Sequence, residues 1–319
     1  SGILQSGYPS GYLVASVAFG AVYAAFGWRG MFMVGLLPGI LLAAYIWLAV
    51  DESPVFRRPP NVNPGKHLVH LVGVGIVLSA MLAALIRFGR EEGLLVIVAV
   101  VVPLLLVAGF LTPFIRKHWK LALYAILLMT GFNFFSHGTQ DLYPTFLRVQ
   151  HKFDDLTVTW ITVVLNIGAI VGGLTFATLS QSWGRRRTVI AVALMALPVI
   201  YFWASAMTPV TLAIGAFCMQ ICVQGAWGVV PVHLNELSPP SVRGTFAGTV
   251  YQLGNLIASI NAVFQAELAE SGKSFLGLSD YSLALAVVAC FAALLIATMM
   301  YLGPEAKDAD MGAQAPVSE

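Results

Sequence analysis

Charge is what this sequence has least of. Only 10% of its 319 residues are Asp, Glu, Lys or Arg, against about 25% in an ordinary soluble domain, and that shortfall excludes a water-facing surface of normal make-up. Cysteine is scarce as well: Cys218, Cys222 and Cys290 all lie inside apolar runs, which argues against a disulfide scaffold or a thiolate metal site and for packed, reduced thiols. There is also no long basic run, and 17 basic against 15 acidic residues leave a net charge of +2, so no nucleic-acid surface is expected. No Ser/His/Asp set, metal-ligand cluster or phosphate loop stands in the context its chemistry needs, so the chain does not read as an enzyme and neither cofactor nor metal is expected.

What is present is apolar sequence in lengths that match a bilayer. With 58% hydrophobic residues and a mean hydropathy of +0.83, the chain repeatedly runs for about 20 apolar residues, enough to cross a hydrocarbon core of about 30 Å. Polar and Gly/Pro-rich breaks mark ten segments, at 3–27, 30–50, 67–88, 93–115, 121–146, 156–181, 188–207, 209–231, 246–266 and 281–302. The expected fold class is an all-α, multi-pass membrane protein, with the lipid bilayer as its first partner and a polar, disordered tail from Pro304 to Glu319.

Basic residues orient the stack, because Lys and Arg near span ends stay on the cytoplasmic side. Alternate loops and the tail hold Arg57, Arg58, Lys66, Arg116, Lys117, Lys120, Arg185, Arg186, Arg187, Arg243 and Lys307, eleven in all, whereas the intervening loops hold the six residues Arg29, Arg87, Arg90, Arg148, Lys152 and Lys273. Both chain ends are therefore expected in the cytoplasm. Arg185–Arg187 read first as topology determinants rather than a gate. The GxxxG spacings Gly7/Gly11, Gly35/Gly39 and Gly168/Gly172 read as close helix packing.

The two ends of the chain resemble each other. Residues 1–11, SGILQSGYPSG, and 247–254, AGTVYQLG, both place a small residue and Gly shortly before Gln and a further Gly. The later copy follows Glu236-Leu-Ser-Pro-Pro-Ser-Val-Arg243-Gly244, whereas the earlier one begins at Ser1. Repeated halves are common in transporters, so the expectation is a first half that starts upstream of Ser1.

Ionisable side chains inside a span are functional candidates by default. Asn133, His137 and Asp141 are spaced by four, so a helix presents them along one face, with Ser136 and Gln140 beside them. For a helix starting near Leu121, Asn133 lies about 18 Å in and Asp141 about 30 Å in, so the stripe runs from beyond the midplane to the outer mouth. Pro144 should kink or end the helix beside it. A His and a carboxylate at i and i+4 can exchange a proton between faces, and a protonated His137 attracts an anion. Asp141 also reads as a solvated helix-end carboxylate, and Ser136 and Thr139 as residues bonded back to their own helix. On the ninth segment Gln252 reads equally as a substrate ligand or a helix bridge, while Asn255 and Asn261 lean towards structure. Gln220 and Gln224, one turn apart, do likewise.

At these residues the sequence resembles the major facilitator superfamily. Glu236 to Arg243-Gly244 is similar to the cytoplasmic loop before its eleventh core helix, and Ser182-Trp-Gly184-Arg-Arg-Arg187 to the end of its loop between helices eight and nine, with Gln181 where the family usually has an acid. Residues 133–145, NFFSHGTQDLYPT, resemble the signature Asn-x-x-Ser/Thr-His-x-Ser/Thr-Gln-Asp-x-x-x-Thr of the Jen-type lactate and pyruvate permeases in the sialate:proton symporter family, agreeing at all seven specified positions. WGVVPVHLNELSPPSVRG and YQLGNL, at 227–244 and 251–256, resemble that family too.

The resemblance implies a fourteen-span major facilitator bundle lacking its beginning. Residues 1–50 would be the last two spans of the N-terminal bundle, 51–118 a central loop with two extra spans, 119–303 the C-terminal six-span bundle and 304–319 the cytoplasmic tail. It further implies proton-coupled symport of a small monocarboxylate of lactate or pyruvate type across the cell membrane. Asn133, Ser136, His137, Gln140, Asp141, Gln252 and Asn255 would be the substrate-binding or proton-coupling residues. The alternatives are symport of sialic acid or another sugar acid and, in another class, a transport-inactive membrane sensor or assembly partner. Substrate, stoichiometry, direction and oligomeric state are not fixed by the sequence.

Overall fold

The computed structural model describes residues 2–51, 118–239 and 243–305. The segments expected at 67–88 and 93–115 and the tail beyond Glu305 lie outside the described residues. The chain divides into two compact units, Ser1–Met31 with Lys120–Glu319, and Phe32–Trp119. The described part of the second unit is chiefly the back of helix α1 (Gly2–Ala49), whose apolar side chains, such as Phe32, Leu37 and Trp47, stand exposed. The expected break between the first two segments is a non-helical Gly27 inside α1, at φ 63°.

Among its described residues the first unit is built of helices joined by short loops, with one short hairpin. Helix α2 spans 118–140 and is followed by α3 (Tyr143–Val149), α4 (Asp155–Trp183), α5 (Arg185–Ser205), α6 (Pro209–Trp227), α7 (Val230–Leu237), α8 (Arg243–Ala258) and α9 (Asn261–Glu270). Strands β1 (Ser274–Phe275) and β2 (Leu278–Ser279) then pair antiparallel and lead into α10 (Asp280–Leu302). Six described helical stretches are long and apolar enough to cross a membrane: Ala25–Ala49, His118–Val149, Asp155–Trp183, Arg185–Ser205, Pro209–Leu237 and Asp280–Leu302. The expected segment 246–266 is instead a pair, α8 and α9, broken at Ser259–Ile260, and neither half reaches the roughly 20 residues a span needs.

Polarity is inverted relative to a soluble protein. Leu174, Leu194, Ile214, Phe291 and Leu294 face outward, while Asn133, Thr139, Gln220, Gln224, Asn261 and Gln265 are buried. That is the pattern of helices solvated by lipid, where polar atoms must be satisfied inside the bundle. Helices α4, α6 and α10, which begin at one end of the unit, start with side-chain caps. Asp154 accepts from Leu156 N and Thr157 N, and Thr208 and Ser279 form reciprocal boxes with Thr211 and Ser282. The Thr157 hydroxyl on its carboxylate holds Asp154 below the ordinary carboxylate range.

Helix α2 lies at the centre of this unit. Trp227 Nε1 of α6 donates to Phe132 O at 3.2 Å, and Tyr143 Oη of α3 donates to Leu212 O at 3.0 Å. Gly254 brings α8 against Met129 of α2, and Gly131 and Gly138 of α2 let Ile296 and Val288 of α10 approach closely. Helices α4 and α6 pack along the Gly168/Gly172 stripe, where an added Cβ would strike the Phe217 and Ile221 carbonyl oxygens. Among the described residues the other two GxxxG pairs meet no neighbour: Gly7, Gly11, Gly35 and Gly39 have nothing within 4 Å. Gly172→Val is expected to destabilise the bundle by about 1–3 kcal/mol through overpacking, with Gly7→Ala near neutral. Thermal unfolding of the full-length protein in detergent, read by intrinsic fluorescence, checks the pair.

Candidate functional site

The stripe read from the sequence is present on α2. Asn133 is fully buried, Ser136 is buried, Gln140 is half-buried, and His137 and Asp141 are the most exposed of the five. Exposure thus rises along the stripe, as a path from interior to mouth requires. The helix ends where Pro144 demanded: Asp141 N still donates to His137 O at 3.0 Å, the next two residues turn, and α3 restarts with Pro144 in its first turn.

His137 and Asp141 pair through Nδ1, 3.2 Å from Oδ2 and 3.3 Å from Oδ1. Their side chains are 37% and 44% exposed, so the pair is not sealed inside the helices. They line a cavity of about 340 Å³ together with Asn255, Ala258, Ser259, Asn261 and Ala262, that is, with the last turn of α8, the break, and the start of α9. The broken helix pair α8–α9 therefore forms the opposite wall.

Behind the pair, amides cross between helices. Gln140 Nε2 donates to Ser136 Oγ at 3.1 Å and to Gln220 Oε1 of α6 at 3.2 Å, and Gln220 Nε2 donates to Thr139 Oγ1 at 3.4 Å. Gln220 therefore belongs to the stripe; from sequence only its one-turn spacing from Gln224 pointed there. Thr139 also returns a bond to Phe135 O, as expected for a helix hydroxyl. Asn133, deeper in, has neither amide atom partnered among the described residues. Of the two residues expected from the ninth segment, Asn255 lines the cavity, while Gln252 is exposed on α8 and is not brought to it. Gln265 was missed: buried on α9, it donates from Nε2 to Gly138 O at 2.8 Å, beside the end of α2.

A second polar centre joins α4, α5 and α7. Gly184, at φ 94°, caps α4 and opens α5 in a conformation that disfavours a Cβ. The turn directs Arg185 inward, so Arg185 does more than set topology. Its Nη2 and Nε bond Glu236 at 2.8 and 3.1 Å, its Nη1 bonds Ser180 Oγ at 2.8 Å, and its Nη2 also reaches Gln181 Oε1 at 3.2 Å. Both charged side chains are under a tenth exposed. Arg186 donates to the Met300 and Tyr301 carbonyls at the end of α10, where a cation meets the negative end of the helix. Arg187 is exposed.

Among the described residues no group of three or more His, Cys, Asp or Glu is arranged to hold a metal. Residues 127–307, more than half of the chain, match the model described as sugar (and other) transporter. The chain belongs to that family, within the major facilitator superfamily. It is therefore a multi-pass membrane protein of a transporter family, not an enzyme family.

Relatives include a carboxylic acid transporter protein homolog of Saccharomyces cerevisiae, 36% identical over 156 residues, 49% of this chain and 25% of that protein. A cis,cis-muconate transport protein of Acinetobacter baylyi is 25% identical over 311 residues, 94% of this chain and 64% of that protein. The niacin transporter of the same organism is 23% identical over 259 residues, 80% of this chain and 55% of that protein. The chain thus spans from a quarter to just under two thirds of the length of these relatives.

Removing either partner of the Arg185–Glu236 pair strands a buried charge. Arg185→Ala and Glu236→Gln are each expected to cost about 3–5 kcal/mol, and Arg185→Met with Glu236→Leu less than either single change. Thermal unfolding of the three variants of the full-length protein decides whether the pair is coupled in this way.

Proposed function

We propose that the full-length protein is a proton-coupled symporter of a small monocarboxylate, of lactate or pyruvate type, in the cell membrane. The observation that carries this reading is the His137–Asp141 pair, 3.2 Å apart and half-exposed on the wall of a cavity, in a helical stretch long and apolar enough to cross a membrane. Imidazole can change charge near neutral pH, and a carboxylate at hydrogen-bond distance can receive or return its proton. Proton and carboxylate then bind together: the imidazolium attracts the anion, and loss of either weakens the hold on the other. Gln140 and Asn255, which are neutral at all relevant pH values, orient the substrate, and Asn133 and Ser136 continue the polar path inward. Gln252 keeps its place in the proposal as a residue that moves to the cavity in another state of the transport cycle.

The relative named as a carboxylic acid transporter protein homolog supports the substrate class, and the NFFSHGTQDLYPT motif supports membership of the sialate:proton symporter family near the Jen-type permeases. In this reading 1–50 belong to the N-terminal bundle, 51–118 hold a central loop and two extra spans, and 119–303 are the C-terminal bundle. A sugar acid is the second reading, supported by the family description itself.

Uptake of labelled lactate by cells expressing the full-length protein is expected to rise as external pH falls, to alkalinise the medium, and to be inhibited more by pyruvate than by a sugar acid. His137→Ala should reduce accumulation to background and Asp141→Asn should impair coupling more than surface expression. An expressed His137→Ala variant with undiminished pH-dependent accumulation removes the assignment. The basic-residue bias supports, as part of the same reading, a cytoplasmic position for Ser182 and the C-terminal tail. A Cys introduced at Ser182 should resist an impermeant external thiol reagent in intact cells, and labelling there would invert the orientation.

A further inference from the structure

His233 is a buried titratable side chain that the cavity does not use. It stands on α7, is 2% exposed, and among the described residues neither of its ring nitrogens has a hydrogen-bond partner. A neutral imidazole carries one donor and one acceptor, and burying both without partners is costly to keep. Packing does not explain it, since an apolar side chain of similar size would fill the place without that cost.

The position of His233 gives a reason. Helices α2 and α6 lie side by side, with Gln220 bonded to Gln140 and Thr139 behind the His137–Asp141 pair and Trp227 bonded to Phe132 further in. Idle polar atoms follow the same course among the described residues: both amide atoms of Asn133 on α2, then Oε1 of Gln224 on α6, on side chains that are buried. The chain next passes Trp227, which packs edge-on against Phe132 and Tyr251 at 5.7 and 5.9 Å between ring centroids, and continues into α7. At 1.5 Å per residue His233 lies roughly 20 Å beyond Gln220 along this path. It stands one turn before Glu236, which Arg185 holds. The charged groups within electrostatic reach of its ring are Arg185 and Arg186 of α5 and Glu305 after α10, with Glu236 on its own helix. Idle buried donors and acceptors thus lead from the outer pair to the Arg185–Glu236 centre.

We infer that His233 is the inner proton acceptor of the transport cycle, taking the coupled proton once the substrate has left and passing it to water at the end of the bundle opposite the cavity. The inference rests on the proton-symport reading above. In the step itself the His137 imidazolium gives up its N–H proton and becomes neutral. The proton passes through water held by Asn133 and Gln224 and bonds to an idle nitrogen of neutral His233, which becomes the imidazolium. The aromatic layer at Trp227 separates the two histidines in this arrangement, so the transfer belongs to a later state of the cycle. Around the new imidazolium, the guanidinium groups of Arg185 and Arg186 oppose the charge and the carboxylates of Glu236 and Glu305 favour it, so the ring can both accept the proton and give it up. An amide in its place could hydrogen-bond but could not carry the charge.

The test uses the full-length protein reconstituted in liposomes and compares two fluxes of labelled lactate. Net uptake driven by an inward proton gradient requires the proton to leave the protein on the inside. Exchange of external labelled lactate for internal unlabelled lactate, at equal pH on both sides, lets the proton stay bound. His233→Gln keeps much of the volume and the hydrogen bonding without the charge. It is expected to lose about 100-fold in net uptake, the low end of what a positioned proton acceptor contributes, while exchange persists. A merely structural role would lower both fluxes together. The amount of protein incorporated is measured in parallel, and if His233→Gln does not incorporate, His233→Asn supplies the same ratio of fluxes. A ratio of net uptake to exchange equal to that of wild type, or higher, overturns the inference and leaves the proton-symport reading standing. Wild-type lactate uptake that is absent, or that ignores the proton gradient, overturns both.

Discussion

A polar atom in a lipid-solvated bundle has no water to turn to, and nearly every feature of the described helical unit follows from that constraint. Lipid takes the outward Leu, Ile and Phe side chains without cost, so the apolar residues cannot by themselves decide which face of a helix goes inside. The polar residues decide it. On α2 the stripe from Asn133 to Asp141 turns that face inward, the amides of Gln140 and Gln220 then join α2 to α6, and the glycines at 131, 138 and 254 let α8 and α10 close around it.

The same constraint explains why the broken helices gather at one place. Pro144 ends α2 beside the stripe, and the α8–α9 break lies across the cavity from it. Irregular backbone in a membrane is tolerated where side chains or a water-filled cavity satisfy the freed groups. Gln265 does this for the Gly138 carbonyl. The breaks, the His137–Asp141 pair and the buried amide of Asn261 thus belong to one cavity. The Arg185–Glu236 centre obeys the rule differently: it closes on itself through Ser180 and Gln181 and has no need of solvent.

Much of this was legible in the residues. Span lengths follow from hydropathy because the bilayer thickness is fixed, and the α2 stripe follows from a four-residue spacing because helix geometry is local. The end of α2 at Pro144 and the break at Gly27 are likewise local backbone effects. What depended on contacts between helices was read less well. Three GxxxG pairs look alike in sequence, yet among the described residues only Gly168/Gly172 meets a neighbouring backbone. Arg185–Arg187 look like three topology charges, yet one is buried, one caps the end of α10 and one is exposed.

The sequence by itself therefore determined a membrane-spanning helical chain, the face of α2 that turns inward and the pair on it that can hold a proton, because each depends on composition or on spacing within one helix. Only the tertiary structure decided which amides join that pair. Gln220 and Asn261 are brought to α2 from 80 and 120 residues away along the chain, whereas Gln252, on a helix whose last turn lines the cavity, is left outside it. Spacing along a chain fixes direction around one helix axis; which helix lies opposite is set by how several of them pack.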